Sequence, residues 1–478
     1  MSAAGFSVAG VTDPSPSTAA APMPAKQRVV LWIAVLASFV AFLDGTVVNV
    51  ALPAISDELG GGLTTQQWVV DAYLITLGAL ILVAGSVSDA YGRVLVMRIG
   101  LVGFGIASVA IAAAPTAEFL IVARAVQGAA GAFLVPSSLA LITSTFRGAA
   151  QGRAIGIWTA GTTGAMIAGP LIGGLFVDLL SWRLVFLINV VPIAVTLWLL
   201  ARAHLRDERR TDAAIDWLGA VLCTLGLGGI VFALIEQPRL GWGSPIIWGT
   251  FAGGSILFAL FLLRQRTVTS PILPLELFRV RNFWTGNVAT AFIYGALALN
   301  GLVVVVYLQQ GAGLPATLAG LASLPVTLLL ILLSTRVGAL SGRWGPRLFM
   351  TLGPIVMGVG ALLLLTVSTA FSYWWQVLPS MIVMGLGLAL TVSPLTSTIL
   401  GAIESERSGI ASAVNNAVAR VAGLIAVALL AVIVGGSLDL EGFHRAAIVT
   451  GVLMFAGGLV SLAGIRNPPK DDEPPPAT

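Results

Sequence analysis

Charge is what this chain has least of. Of its 478 residues, 10% are Asp, Glu, Lys or Arg, against 57% apolar. Soluble globular proteins carry about 25% charged residues. This composition therefore cannot clothe a water-exposed surface, and a mean hydropathy of +0.97 requires lipid around most of the core. Cys223 is the single cysteine and lies inside an apolar run, which excludes an intrachain disulfide. The two histidines, His204 and His444, fall at the ends of apolar runs, and no metal-ligand spacing is present, so neither a metal nor a cofactor is expected. The apolar runs hold no Ser/His/Asp set, which argues against a membrane-embedded enzyme, and no sizeable soluble stretch offers a receptor its output domain. A Gly-x-x-x-x-Gly-Lys-Ser/Thr phosphate loop is also missing, so ATP is not the direct energy source. The net charge of +4 raises the question of nucleic acid, but the arginines sit in short loops and form no basic face or tail.

Long apolar runs are abundant. A bilayer-crossing helix needs about 20 mostly apolar residues, because hydrocarbon offers no partner for free backbone groups. Runs of that length fall at about 29–53, 68–88, 95–114, 119–143, 153–177, 184–203, 216–236, 245–263, 283–308, 317–336, 347–366, 374–398, 408–434 and 445–465. They are numbered here as spans 1 to 14. Residues 1–27, rich in Ala, Pro and Ser, read as a disordered cytoplasmic tail, and the Pro-rich 467–478 reads likewise. With the N-terminus inside, twenty of the 25 Lys and Arg residues fall at inner loops and only Arg183, Arg239 and Arg445 at outer ones; Arg124 and Arg420 lie within spans. Such a bias places both termini in the cytoplasm of a multi-pass protein.

The chain also echoes itself. Gly85-Ser-Val-Ser-Asp89-Ala-Tyr-Gly92-Arg93 follows span 2, and Gly338-Ala-Leu-Ser-Gly342-Arg-Trp-Gly345-Pro-Arg347 follows span 10, with the same seven-residue offset between glycines. This implies a parallel repeat: a six-helix bundle over 28–210, an inserted pair (spans 7 and 8) over 211–270, and a second six-helix bundle over 271–466.

Four segments carry a more specific likeness. They are Leu43-Asp44-Gly-Thr-Val-Val-Asn49-Val-Ala-Leu-Pro53 in span 1, the Gly85–Arg93 loop, Arg124-Ala-Val-Gln127-Gly128 in span 4, and Gly164 through Gly169-Pro170-Leu-Ile-Gly173-Gly174 in span 5. Together and in order they resemble the major facilitator superfamily, in particular its fourteen-span drug:proton antiporters. The resemblance implies an all-α membrane protein of the major facilitator fold, two six-helix bundles plus two inserted helices. It further implies a monomer in a bacterial cytoplasmic (inner) membrane that exchanges hydrophobic or amphipathic compounds, cationic ones foremost, for protons. A lipid or endogenous-metabolite exporter of the same fold is the alternative. The chain departs from the family pattern at Ala90 and Val94, where basic residues are usual, and at Gly342, which stands where the echo would have aspartate. The cytoplasmic latch of relatives, here Asp89, Gly92 and Arg93, is expected to be weaker.

An ionised side chain in mid-bilayer costs about 2.5–3.5 kcal/mol or more, so the few present should face a cavity or a partner. Asp44 is the expected principal proton carrier and Arg124, charged at any accessible pH, its fixed partner; a permanent pair that only fixes packing is the other possibility. Asp71, toward the outer end of span 2, is either a second cavity acid or simply solvated. Asn416 and Arg420, four apart on span 13, share a helical face and join Tyr73, Gln127, Phe133, Trp158, Met166, Tyr294 and Asn300 as candidate substrate contacts, while Asn415 and Asn416 could instead join helices. In span 5, Gly156, Ala160, Gly164 and Ala168 form one small-residue stripe and Gly161, Ala165, Gly169 and Gly173 the next. Gly169, Pro170 and Gly173 are expected to make a close, movable contact during alternating access, with plain tight packing as the alternative.

Overall fold

The computed structural model describes residues 23–203, 205, 207, 215–404 and 407–467. Among them are fourteen helices long and apolar enough to cross a bilayer, and no strand: Ala25–Leu59, Gly62–Tyr91, Arg93–Ala112, Ala117–Thr145, Ala150–Leu179, Leu184–Ala203, Trp217–Leu240, Pro245–Arg264, Arg281–Gln310, Ala316–Trp344, Pro346–Thr366, Tyr373–Gly401, Gly409–Ala428 and Leu440–Gly464, spans 1 to 14 in order. This is a multi-pass membrane protein. Several helices outlast their apolar runs. Span 1 begins at Ala25, inside the stretch expected to be a tail. The remainder of that tail through residue 22, the charges at 206, 209, 210 and 470, His204, and the end of the chain from 468 lie outside the described residues.

Proline sets the interruptions. Pro192 lacks the N–H that would bond the Ile188 carbonyl, and span 6 splits into Leu184–Leu187 and Val190–Ala203 with Asn189 in the gap. Pro136 does the same to span 4, which breaks between Gly131 and Leu134.

The repeat is visible in atomic detail. Gly92 and Gly345 both hold positive φ, 102° and 84°, just before spans 3 and 11. In each half the chain leaving the sixth helix returns a side chain to cap that helix start. The Asp207 carboxylate accepts the Val94 and Leu95 N–H groups at 2.8 and 3.1 Å, and Asn467 Oδ1 accepts the Arg347 N–H at 3.0 Å. A Cβ on either glycine would collide with its cap, so both the backbone angle and the space demand glycine. Asn467, expected to open the C-terminal tail, thus belongs to the second bundle.

Among the described residues, each loop-to-loop ion pair or cap joins two loops of the same face, as Glu58 with Arg183 on one and Glu276 with Arg407 on the other. Call the face bearing the 2–3, 6–7 and 10–11 loops arginine-rich and the opposite one arginine-poor. One apolar cluster draws on both bundles, including Val47, Leu52, Val69, Leu299, Val303, Ala322, Val427 and Leu430, and it fills the arginine-poor half. Toward the arginine-rich face each bundle keeps a cluster of its own, Ile33, Val40, Met97, Phe104 and Phe146 in the first, Phe283, Met350, Leu395 and Val414 in the second. The bundles are therefore joined at one end and parted at the other.

Spans 7 and 8 cross closely through Gly226, Gly229 and Gly254, where added methyl groups would strike backbone. Span 7 in turn lies on both bundles: Cys223, Leu227 and Val231 cluster with Ile75 and Ala79 of span 2 and Leu424 and Ala428 of span 13. Trp68 Nε1 donates to Glu236 at 2.9 Å at one end, and Arg264 pairs with Asp216 at 2.7 Å at the other.

Candidate functional site

Inside the first bundle, spans 4 and 6 direct polar groups at one carboxylate of span 1. Asp44 Oδ2 accepts Arg124 Nη1 at 2.6 Å, while Oδ1 accepts Gln127 Nε2 and Asn189 Nδ2, each at 3.0 Å. Arg124 and Gln127 are one turn apart on span 4 and so reach the same point. Asn189 reaches it because the Pro192 break leaves its residue turned inward. Gln127 also donates to Ser108 at 2.9 Å and accepts Arg124 Nη1 at 2.6 Å. Arg124 Nε donates to the Val69 carbonyl of span 2 at 2.9 Å, and its guanidinium lies 4.3 Å over the Tyr73 ring. Asp44 and Arg124 are 0% and 1% exposed. A buried pair so fully bonded satisfies both charges, and removing one member would strand the other.

Asp71 is the opposite case. It too is 0% exposed, so simple solvation is excluded. Neither of its oxygens meets a hydrogen-bond donor among the described residues, and the same is true of Gln66 Oε1 and Gln67 Oε1 one turn away. Gln67 Nε2 donates across to the Val427 and Ala428 carbonyls at 2.7 and 3.0 Å, which puts this face of span 2 against span 13 of the other bundle. The seam thus gathers acceptors without donors. An ionised carboxylate so buried costs several kcal/mol, and a proton on Asp71 both removes the charge and provides a donor.

The small-residue stripes of span 5 divide their work differently from expectation. Gly161, Gly169 and Gly173 face Val35, Thr46, Val47 and Val50 of span 1, within the same bundle. The contact between bundles lies at Gly174, whose added methyl would strike Thr317 of span 10, and at Pro170, whose carbonyl and ring crowd Gly320. Asp178 completes it by accepting the Ala316 and Thr317 N–H groups, each at 2.8 Å. Gly156 and Gly164 have nothing within 4 Å of an added Cβ. Small residues matter here because they let backbones meet.

The remaining candidates scatter. Asp89 pairs with Arg93 one turn on, at 3.1 Å, and with no residue of the second bundle among the described residues. Gln127 belongs to the buried Asp44 network. Phe133 packs on Val83, Val87, Val96 and Ala220, and Trp158 bonds Ser38 at 2.9 Å against span 1. Met166 is exposed and Asn300 nearly buried. Asn415 joins helices, donating to Asn287 and Thr290 of span 9 at 3.2 and 2.9 Å, whereas Asn416 is exposed. Arg420 is half-buried midway along span 13. Of the two acids within the first bundle's apolar runs, Asp44 is paired with Arg124 and Asp71 is buried. Asn189 and Ser108 were not among the candidates; an asparagine three residues before a proline inside an apolar run was the available signal for the first.

A family model described as Major Facilitator Superfamily matches residues 34–427. Among curated proteins the chain is 32% identical to the methylenomycin A resistance protein of Bacillus subtilis over 406 residues, 85% of this chain and 87% of that one. It is 34% identical to the puromycin resistance protein of Streptomyces alboniger over 457 residues, 91% and 89% of the two chains. The multidrug resistance protein Stp of Mycobacterium tuberculosis is 33% identical over 405 residues, 83% and 73%. Among solved structures, the peptide transporter POT in complex with sulfate superposes with a TM-score of 0.69 over 92% of this chain and 94% of that one, at 16% identity, a likeness of fold alone.

Proposed function

Since the chain belongs to the major facilitator superfamily, with fourteen spans and relatives that confer drug resistance, we propose that it is a proton-coupled secondary active exporter of small hydrophobic or amphipathic compounds. It works by alternating access as a monomer in the bacterial cytoplasmic membrane, with both termini and the arginine-rich face in the cytoplasm. Its partners are substrate, protons and the lipid bilayer. In this orientation the bundles are closed outside and parted inside.

The observation that carries the reading is the contrast between two fully buried carboxyl groups in one bundle: Asp44 held by donors from spans 4 and 6, Asp71 by none. When the outer seam between spans 2 and 13 opens, Asp71 meets external water and takes up a proton. The neutral acid then closes into the seam, where its O–H serves the orphaned acceptors. Span 2 transmits the event, because Arg124 bonds the Val69 carbonyl two residues from Asp71. A shift of span 2 alters the hold of Arg124 on Asp44, the principal proton carrier. Gly174, Pro170 and Asp178 on span 5, packed against span 10, form the second part of the outer seal.

The test is efflux from proteoliposomes under an imposed pH gradient, with a panel of amphipathic dyes and fluorescent lipids. Asp44→Asn should abolish accumulation against a gradient while leaving downhill exchange. Asp71→Asn should retain transport but lose its dependence on external pH. Unchanged coupling in properly folded Asp44→Asn would remove the carrier role, and movement of lipid probes alone would replace drug export with lipid export.

A further inference from the structure

The Asp44–Arg124 pair is neutral as a unit, but one more guanidinium stands in the middle of the bundle with nothing to balance it. Arg420 makes neither a hydrogen bond nor an ion pair among the described residues, although it is only half-exposed and halfway along span 13. Its Cβ lies 3.6 Å from where a side chain would begin at Gly78 of span 2, so the base of the side chain borders the first bundle. Tyr294 of span 9 packs in the cluster that includes Val414 and Val418, the span 13 residues just before Arg420. One turn toward the arginine-rich face, Asn416 is exposed and spends a single amide hydrogen on its own helix, at the Ser412 carbonyl.

An arginine cannot rest unpartnered against hydrocarbon, so Arg420 fronts on the space where the bundles part. The other buried charges leave the field there positive. Asp44 is matched by Arg124, Asp71 is closed into the outer seam, and Glu236 pairs with Arg239 at the far end of span 7. A planar guanidinium fork suits a carboxylate or phenolate better than any other small group.

We propose that Arg420, assisted by Asn416 and the Tyr294 hydroxyl, is an anion subsite, and that the exported compounds carry a carboxylate or phenolate on an apolar frame. The inference rests on the exporter reading above and sharpens it from amphipathic to acidic. It also has an electrical consequence. A monoanion leaving against one entering proton moves two positive charges inward per cycle, so the interior-negative potential and the pH gradient both drive export.

The experiment uses one fused-aromatic frame carrying a carboxylate, a primary amide or a trimethylammonium group. Binding is read by tryptophan quenching and efflux in proteoliposomes. Arg420→Gln should weaken carboxylate binding about tenfold to hundredfold, the loss of one charged hydrogen-bonded contact, and shift amide binding less than about threefold. Arg420→Lys should fall between. Asn416→Asp, which supplies an internal partner one turn away, should weaken the carboxylate probe and favour the ammonium one. Equal responses of carboxylate and amide probes, or a wild-type preference for ammonium, would overturn the subsite. The two claims separate cleanly. Carboxylate binding that needs Arg420 without any pH-driven efflux sinks the exporter reading alone, while pH-driven efflux of the amide probe in Arg420→Gln with undiminished carboxylate binding sinks the subsite alone.

Discussion

The two bundles share a scaffold and differ in what they bury. Both start their third helix behind a left-handed glycine and cap it with a side chain returned from beyond the sixth. Yet the first bundle encloses an ion pair bonded to Gln127, Asn189 and the Val69 carbonyl, where among the described residues the second encloses no ion pair and joins Asn415 to the neutral Asn287 and Thr290. Packing was duplicated and titratable chemistry was not. Proton handling is thereby confined to one rigid unit, and the other is left free to present Arg420 at the boundary.

The sharpest way to break this contrast is to delete the core polar group of each bundle. Asp44→Leu strands Arg124 as a buried cation and should cost about 3–5 kcal/mol, seen as loss of monodisperse protein in detergent. Asn415→Leu removes neutral bonds and should cost about 1–2 kcal/mol, with the protein still purifiable. Equal losses would mean that the charge asymmetry has no energetic weight. Next come the glycines of span 5. Gly174→Leu should hold the bundles apart at the arginine-poor face, raising the reactivity of a cysteine placed at Thr317 and stopping efflux. Gly169→Leu strikes Thr46 within one bundle and should lower folded yield instead, whereas Gly164→Leu, with open space before it, should stay within about twofold of wild-type efflux.

A smaller effect tests the shared scaffold. Asp207→Ala should cost about 1–2 kcal/mol and Asn467→Ala about 0.5–1 kcal/mol in thermal stability, because the first loses two charge-assisted bonds and the second a single neutral one. The smallest concerns Asp216, in the inserted pair that belongs to neither bundle. Its partial burial alone would raise its pKa, but the Gly219 N–H, Arg264 and Gln265 outweigh that and hold it below the ordinary aspartate range. A lowered pKa means that its stabilisation is complete at neutral pH and lost only as pH falls through the folded value. Wild type should therefore lose thermal stability on acidification more steeply than Asp216→Asn, by a fraction of a kcal/mol given the exposure of Arg264.

The fourteen spans were legible because apolar length is a property of sequence alone. So was the Asp44–Arg124 pair, since charges stand out in apolar runs and hydrocarbon forces them together. What faced what was not legible. Asp71 is donorless because of the angle at which span 2 is turned toward span 13, which the sequence around it does not state. Gln127 was assigned to the cavity from its motif, but its one-turn spacing from Arg124 carries it into the ion-pair network. Likewise the spacing of Gly169 and Gly173 revealed a close helix contact without revealing that span 1, not span 10, supplies the neighbour. Rotation about helix axes is fixed by the sum of many side-chain contacts, and no single motif encodes it.

Spans 7 and 8 have a geographic effect. By lying across spans 2 and 13 they roof one flank of the transporter, while the opposite flank, spans 5 and 10, carries no such cover and keeps Leu328, Ile331 and Leu332 bare. Among the described residues, the two flanks therefore present different surfaces to the bilayer, a helix pair on one side and the bundle helices themselves on the other.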